Sequence, residues 1–131
     1  MKFNPVVHFE IYVDDMARAK AFYQVVFDIQ LEQMPSPTPE VEMEMWFFPM
    51  DKENGMSFYG AGGALVKMDG YKPGGGGTLV YFGCEDCTVQ AERAVANGGS
   101  IHQPKMPIGE HGFCTVVRDT EGNLIGLHSM S

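Results

Sequence analysis

In the stretch VVHFEIYVDD three side chains able to do chemistry, His8, Glu10 and Tyr12, stand at alternate positions. Alternation along an extended chain sends them to one face. An imidazole beside a carboxylate can ligate a divalent cation. The same pair can move a proton on a bound molecule, with Glu10 the candidate base and His8 its partner. Two further histidines bear on the choice: His111 in GEHGF, and His128 near the end of the chain.

Other groups carry weaker signals. Cys84 and Cys87 in CEDC have the spacing of a redox pair at a helix start. Glu85 and Asp86 between them disfavour a thiolate, however, so both cysteines are read as core. Cys114 lies in a strand pattern and is read as a small hydrophobe. Ser57, Ser100 and Ser129 lack a G-x-S-x-G elbow, so no hydrolase triad is expected. The run YKPGGGGT, with Pro73 and four glycines, leads into a strand rather than a helix N-terminus. It is therefore read as a flexible linker that adds no structure, not as a phosphate cradle.

The elements that must position these groups are written twice. Val13-Asp14-Asp15-Met16 and Cys84-Glu85-Asp86-Cys87 both close an alternating strand and open a helical stretch, a shift of 86 − 15 = 71 residues. At that shift Phe9, Ile11 and Val13 match Val80, Phe82 and Cys84 in TLVYFGC. Asp15 and Asp86 are placed to cap helices. Met16, Ala19, Tyr23 and Val26 form the buried stripe of the first helix, and Cys87, Ala91, Ala94 and Val95 that of the second. Asn97-Gly98-Gly99 ends the second helix. Three extended stretches follow each helix: 29–34, 40–49 and 62–68, then 100–103, 112–118 and 123–129, the last two joined by DTEGN. Each module reads strand, helix, strand, strand, strand.

Alternation also assigns the faces. Val7, Phe9, Ile11 and Val13 must be covered by the first helix, which leaves His8, Glu10 and Tyr12 on the other face. Leu79, Tyr81 and Gly83 are their counterparts in the second copy, and Leu124, Gly126 and His128 share one side of the closing strand. The mixture suits a half-wet concavity. The candidate pocket is thus His8, Glu10, Tyr12, Leu79, Tyr81, Gly126 and His128. Glu40, Glu42 and Glu44 alternate with Val41, Met43 and Met45, read as a solvated acidic face that protects a sheet edge. Trp46 and Phe47 are read as core, while Met50, Met56 and Met68 could line an adaptable pocket.

Composition bounds the rest. The chain has 131 residues, 44% of them apolar with nine Phe and ten Met, enough for one core. Seventeen carboxylates against nine Lys and Arg give a net charge of −8, which repels phosphate backbones and anionic membranes. Nucleic acid and membrane are therefore not expected partners. MKFNPVV lacks an apolar h-region and a cleavage site, and three cysteines do not suggest a disulfide framework, so a cytoplasmic location is expected.

The opening VVHFEIYVDDMARAKAFYQVVFD, with GGALVKM, TLVYFGCEDCTVQAERAVANGG, PKMPIGEHGF and the closing DTEGNLIGLHS, resembles the glyoxalase / bleomycin resistance protein / extradiol dioxygenase superfamily, the vicinal oxygen chelate proteins. The resemblance implies an α+β fold: two tandem βαβββ modules, about 1–70 and 78–131, forming a curved, partly open barrel-like sheet with helices outside, often within a homodimer. In metal-dependent members a divalent ion in the cavity polarises substrate oxygens. Its ligands lie early on the first strand and on the last strand of each module. Here His8 matches one such position. Leu79 and Gly126 stand at two others, and GGALVKM offers no His, Asp or Glu. One ligand of four remains, where three or more protein ligands are the rule. A displaced site of His8, Glu10 and His128 would have to reach ~7 Å, one strand repeat, beyond the usual centre.

The expected function is therefore binding of a small organic molecule in the cavity, without the usual metal. The alternatives are a lyase, isomerase or dioxygenase dependent on a divalent metal (Zn, Ni, Fe or Mn), and a partner-binding module using the acidic face.

Overall fold

The computed structural model describes residues 5–36, 39–40, 42–50 and 60–131; Val41, Met56 and Ser57 lie outside the described residues. The order is β1 (His8–Tyr12), α1 (Met16–Phe27), β2 (Glu32–Met34), β3 (Met43–Phe47) and β4 (Gly62–Met68), then β5 (Val80–Gly83), α2 (Cys87–Ala96), β6 (Ser100–Pro107), a 3-10 turn (Gly109–His111), β7 (Phe113–Arg118) and β8 (Leu124–Ser129). The fold is α+β, built of two βαβββ modules. Their sheets run β1-β4-β3-β2 and β5-β8-β7-β6, and neither closes on itself. In each, the first and last strands of the module pair in parallel and the remaining neighbours are antiparallel.

Both helices begin at the expected aspartates. Asp15 accepts from the Arg18 amide at 3.0 Å and Asp86 from the Thr88 amide at 3.0 Å, which satisfies amides that the helix itself cannot. Met16, Ala19, Tyr23 and Val26 are buried on α1; Cys87, Ala91 and Ala94 are buried on α2. Val95 departs from the expected stripe and is 51% exposed. Positions 87, 91 and 94 already complete a face of period 3.6, and Val95, one step on, turns outward.

The helix-side core joins the modules. Phe82 of β5 stacks on Phe27 of α1 at 4.4 Å between ring centroids and meets Phe9 and Phe48 as well. The DTEGN turn makes a second joint. Glu121, its side chain fully buried, accepts from the amides of Asp14 (3.0 Å) and Asp15 (2.9 Å) and from both arms of Arg18 (2.7 and 3.0 Å). A carboxylate of the second module thereby caps a helix of the first. Tyr23 donates to Asp119 at 2.6 Å, and Asn123 donates to the Tyr12 carbonyl at 2.9 Å.

Two expectations change. β3 lies between β4 and β2, so it is an interior strand and β2 is the edge. Glu44 faces the helix side with Trp46, whose indole donates to it at 2.9 Å, while Lys20 sits 3.2 Å over the Trp46 ring. Glu40 and Glu42 are exposed, but Glu44 is half-buried and does not belong to a solvated acidic face. The linker is also not a passive strap. Tyr71 stacks on Tyr12 at 4.9 Å, and the Gly74 amide donates to Asn123 Oδ1 at 2.7 Å, so the linker is fastened at two points before β5 begins.

Candidate functional site

The parallel register of β1 and β4 sets His8, Glu10 and Tyr12 beside Gly62, Ala64 and Val66. Strand β3 adds Phe47 and Met45 opposite Ala64 and Val66, and Met43 opposite Met68. This concave face holds a second apolar cluster, with Met45, Ala64 and Val66 buried and Tyr12, Met43, Phe47 and Met68 packed against them. Phe47 is thus a residue of this face, its ring 5.9 Å from that of His8, and not of the helix-side core. Met50 lies over the start of β4, its sulfur where a side chain on Gly62 would stand.

On the rim of this face the three polar residues meet. Tyr12 donates its hydroxyl to Glu10 Oε1 at 2.7 Å, and His8 Nε2 lies 3.3 Å from Glu10 Oε2. Burial, then the Glu10 hydrogen bond and the Glu10 charge, push the Tyr12 phenol up to about 12, so it remains a donor across the neutral range. A carboxylate has about four lone-pair sites. Glu10, with one contact at each oxygen, retains room for a ligand's hydroxyl or amine.

The second module's face is built on the same register. Tyr81 pairs with Gly126 and Gly83 with His128. Because Glu10 matches Tyr81 at the repeat shift, Ala64 in the first module occupies the place of Gly126 in the second. The ring of Tyr81 lies directly over Gly126, and a Cβ added there would run into it. Tyr81 is 50% exposed and Leu79 38%, so this face is open. His128 Nε2 bonds the His111 carbonyl at 2.6 Å. Among the described residues no group of three or more His, Cys, Asp or Glu side chains is gathered closely enough to hold a metal ion.

Between the modules lies a cavity of about 240 Å³. Its apolar lining is Ile11, Val80, Leu124 and Ile125; its polar lining is Glu10, Tyr12, Lys72, Thr78 and Asn123, with the bare backbone of Gly75, Gly76 and Gly77. Of the residues expected from the sequence, Glu10 and Tyr12 line it. His8 joins them through Glu10, while Leu79, Tyr81, Gly126 and His128 lie on the other module's face. Lys72, Thr78 and the glycines were not expected. The glycine run was their one visible signal, and its tethering to Tyr12 and Asn123 is a tertiary matter.

The CEDC pair is structural. Cys87 is buried with its amide bonded to Ser129, and Cys84 donates weakly to the Phe82 carbonyl. Burial, then the nearby Cys87, push the Cys84 thiol up to about 11, the reverse of a reactive cysteine.

A family model described as Glyoxalase/Bleomycin resistance protein/Dioxygenase superfamily matches residues 6–127. No curated protein matches the chain by sequence. Among solved structures, glyoxalase I from Zea mays is 21% identical with a TM-score of 0.71, covering 94% of this chain and 43% of its own. The chain therefore spans less than half of the maize enzyme. TnmS3, an antibiotic binding protein from Streptomyces sp. CB03234, is 24% identical with a TM-score of 0.64 over 100% of this chain and 99% of its own. FosX, a fosfomycin resistance protein from Listeria monocytogenes, is 18% identical with a TM-score of 0.62 over 98% and 93%. At these identities the likeness is one of fold, and no helix of the described residues is long and apolar enough to cross a membrane.

Proposed function

Because the chain belongs to the glyoxalase/bleomycin resistance protein/dioxygenase superfamily, we propose that it binds a small organic molecule between its modules, without the divalent ion held by the metal-dependent members. The observation that carries this reading is the Tyr81 ring over Gly126, which fills the place where the resemblance puts a carboxylate ligand. Ala64 and Leu79 at the matching places have no donor atom. The residues present do not fit the superfamily's usual metal. The cavity supplies what a small organic ligand needs: an apolar lining and a few directed polar groups. At about 240 Å³ it lies just below the usual span of drug-sized pockets and suits a small ligand. The fold likeness to an antibiotic binding protein is consistent with binding as the whole function.

A metal-dependent enzyme is the second reading, favoured by His8 Nε2 and Glu10 Oε2 lying 3.3 Å apart on one face. Metal analysis of protein purified without chelator or nickel resin, beside His8→Ala, separates the two. The binding reading expects substoichiometric metal in both proteins; near-stoichiometric metal that disappears with His8 overturns it. A homodimer belongs to the proposal too, supported by Leu79, Tyr81 and Met106 standing exposed on the open face of the second module.

A further inference from the structure

Gly75, Gly76 and Gly77 line the cavity, yet nothing in the fold requires glycine there. Only Gly74 of the run has positive φ (+87°), and a Cβ added at any of the other three meets no atom within 4 Å. Their lack of side chains leaves backbone open to the cavity. Among the described residues the amides of all three, the Lys72 ammonium and the Thr78 hydroxyl have no hydrogen-bond partner within the chain. Asn123 differs. Its amide group is spent on Tyr12, Asp119 and Gly74 and serves to hold the linker in place. Lys72 and Glu10 are the charged side chains of the lining, and the other polar group on the β1 wall, the Tyr12 hydroxyl, is already donated to Glu10.

Resting on the small-molecule reading above, we propose that the cavity takes a small monocarboxylic acid bearing a hydroxyl or amino group. The carboxylate lies against Lys72 and the Gly75–Gly77 amides, and the hydroxyl or amine donates to Glu10. The hydrocarbon between them rests on the part-exposed Val80 and Leu124. One lysine balances one carboxylate. A phosphate would bring up to two charges to a single cation with no helix N-terminus behind it, since this linker runs into β5. Glu10 opposite Lys72 rejects a second anionic group, which limits the ligand to one carboxylate.

The test is a thermal-shift and amide-NMR comparison of short monocarboxylates that carry a hydroxyl or amino group at the end of the chain away from the carboxylate, each beside its methyl ester. The acids should raise the melting temperature and move the Gly75–Gly77 amide signals, and the esters should do neither. Lys72→Gln should weaken binding about tenfold, the worth of one charge-assisted hydrogen bond, and Lys72→Arg should restore most of it. The triple variant Gly75→Ala, Gly76→Ala, Gly77→Ala should melt no lower than the parent, because Ala reduces the freedom of the unfolded chain, while losing the response to acids. Equal response to acid and ester, or a triple variant that still binds, overturns the inference. If acids fail while neutral compounds from a broader library raise the melting temperature, the carboxylate assignment falls and the small-molecule reading stands. If neither class has any effect, both fall.

Discussion

At the seam, the oxygens of Asp119 and Glu121 and both ends of the Asn123 amide are engaged by the chain itself. Glu121 alone accepts from two backbone amides and a guanidinium. On the rim of the first module's concave face, Glu10 meets only Tyr12 and His8, both two residues away, and across the cavity Lys72 meets nothing within the described chain. Both regions lie against β1, and both are polar. The difference separates polar groups that hold the modules together from polar groups that the described chain leaves largely unused. A buried polar group without a partner costs about 1–3 kcal/mol, so a fold uses such groups fully where water is excluded.

The comparison breaks most readily at Glu121. Burial raises its carboxyl, but the Arg18 hydrogen bonds and the Asp15 and Asp14 amides outweigh burial and hold it at about 2, against an ordinary 4.5. A depressed folded value means stability that is present above about 4.5 and lost as the pH falls toward 2. Glu121→Gln should therefore cost on the order of 2–4 kcal/mol in urea denaturation at neutral pH. Its deficit should shrink through that acid window, with ligand response at neutral pH unchanged. A deficit that stays constant down to pH 2 would show that Glu121 acts by packing and not by charge.

How far these regions were legible in the sequence follows from the same contrast. Alternation and a 71-residue repeat can be read along the chain, and they placed both aspartate caps, the faces of β1 and β8 and the common face of His8, Glu10 and Tyr12. The seam bonds are not local: Glu121 and Asp15 lie 106 residues apart. In sequence DTEGN is only a turn, because no periodicity encodes how one module docks on the other. The linker failed for the same reason, since its anchors, Tyr12 and Asn123, are tertiary. The acidic alternation of 40–44 misled because strand order decides whether a strand is an edge, and β2, only three residues long, took that place.

A smaller effect sharpens the comparison on the open side. Two aromatic rings cover glycines of the neighbouring parallel strand: Phe9 over Gly63 on the helix side and Tyr81 over Gly126 on the concave side. Phe9 is backed by Phe48 and Phe82, whereas Tyr81 is half exposed. Gly63→Ala should cost roughly 2–3 kcal/mol and Gly126→Ala roughly 1. Tyr81→Ala in the Gly126→Ala background should recover most of the smaller loss, a coupling of about 1 kcal/mol in a double-mutant cycle. Equal costs at the two glycines would mean that the Tyr81 ring is as fixed as the core, and the second face would not be an open one.

The smallest effect concerns the rim itself. Tyr12 is held at about 12 by burial first and by Glu10 second, so a raised folded value contributes stability below about 10 that is lost as the pH climbs through 12. Glu10→Gln removes the Glu10 charge and leaves the burial. The Tyr12 phenol should then titrate lower than 12 but still above 10, read as tyrosinate absorbance against a Tyr12→Phe control. Stability at neutral pH should change by less than about 1 kcal/mol, because the Gln oxygen can still accept from the Tyr12 hydroxyl and the site is open to water on one side. That pairing of a shifted titration with a nearly unchanged fold is what distinguishes a residue kept for a ligand from one kept for the seam. If Glu10→Gln instead destabilised the protein as much as Glu121→Gln, Glu10 would belong with the residues that join the modules, and the ligand's donor group would have lost its partner.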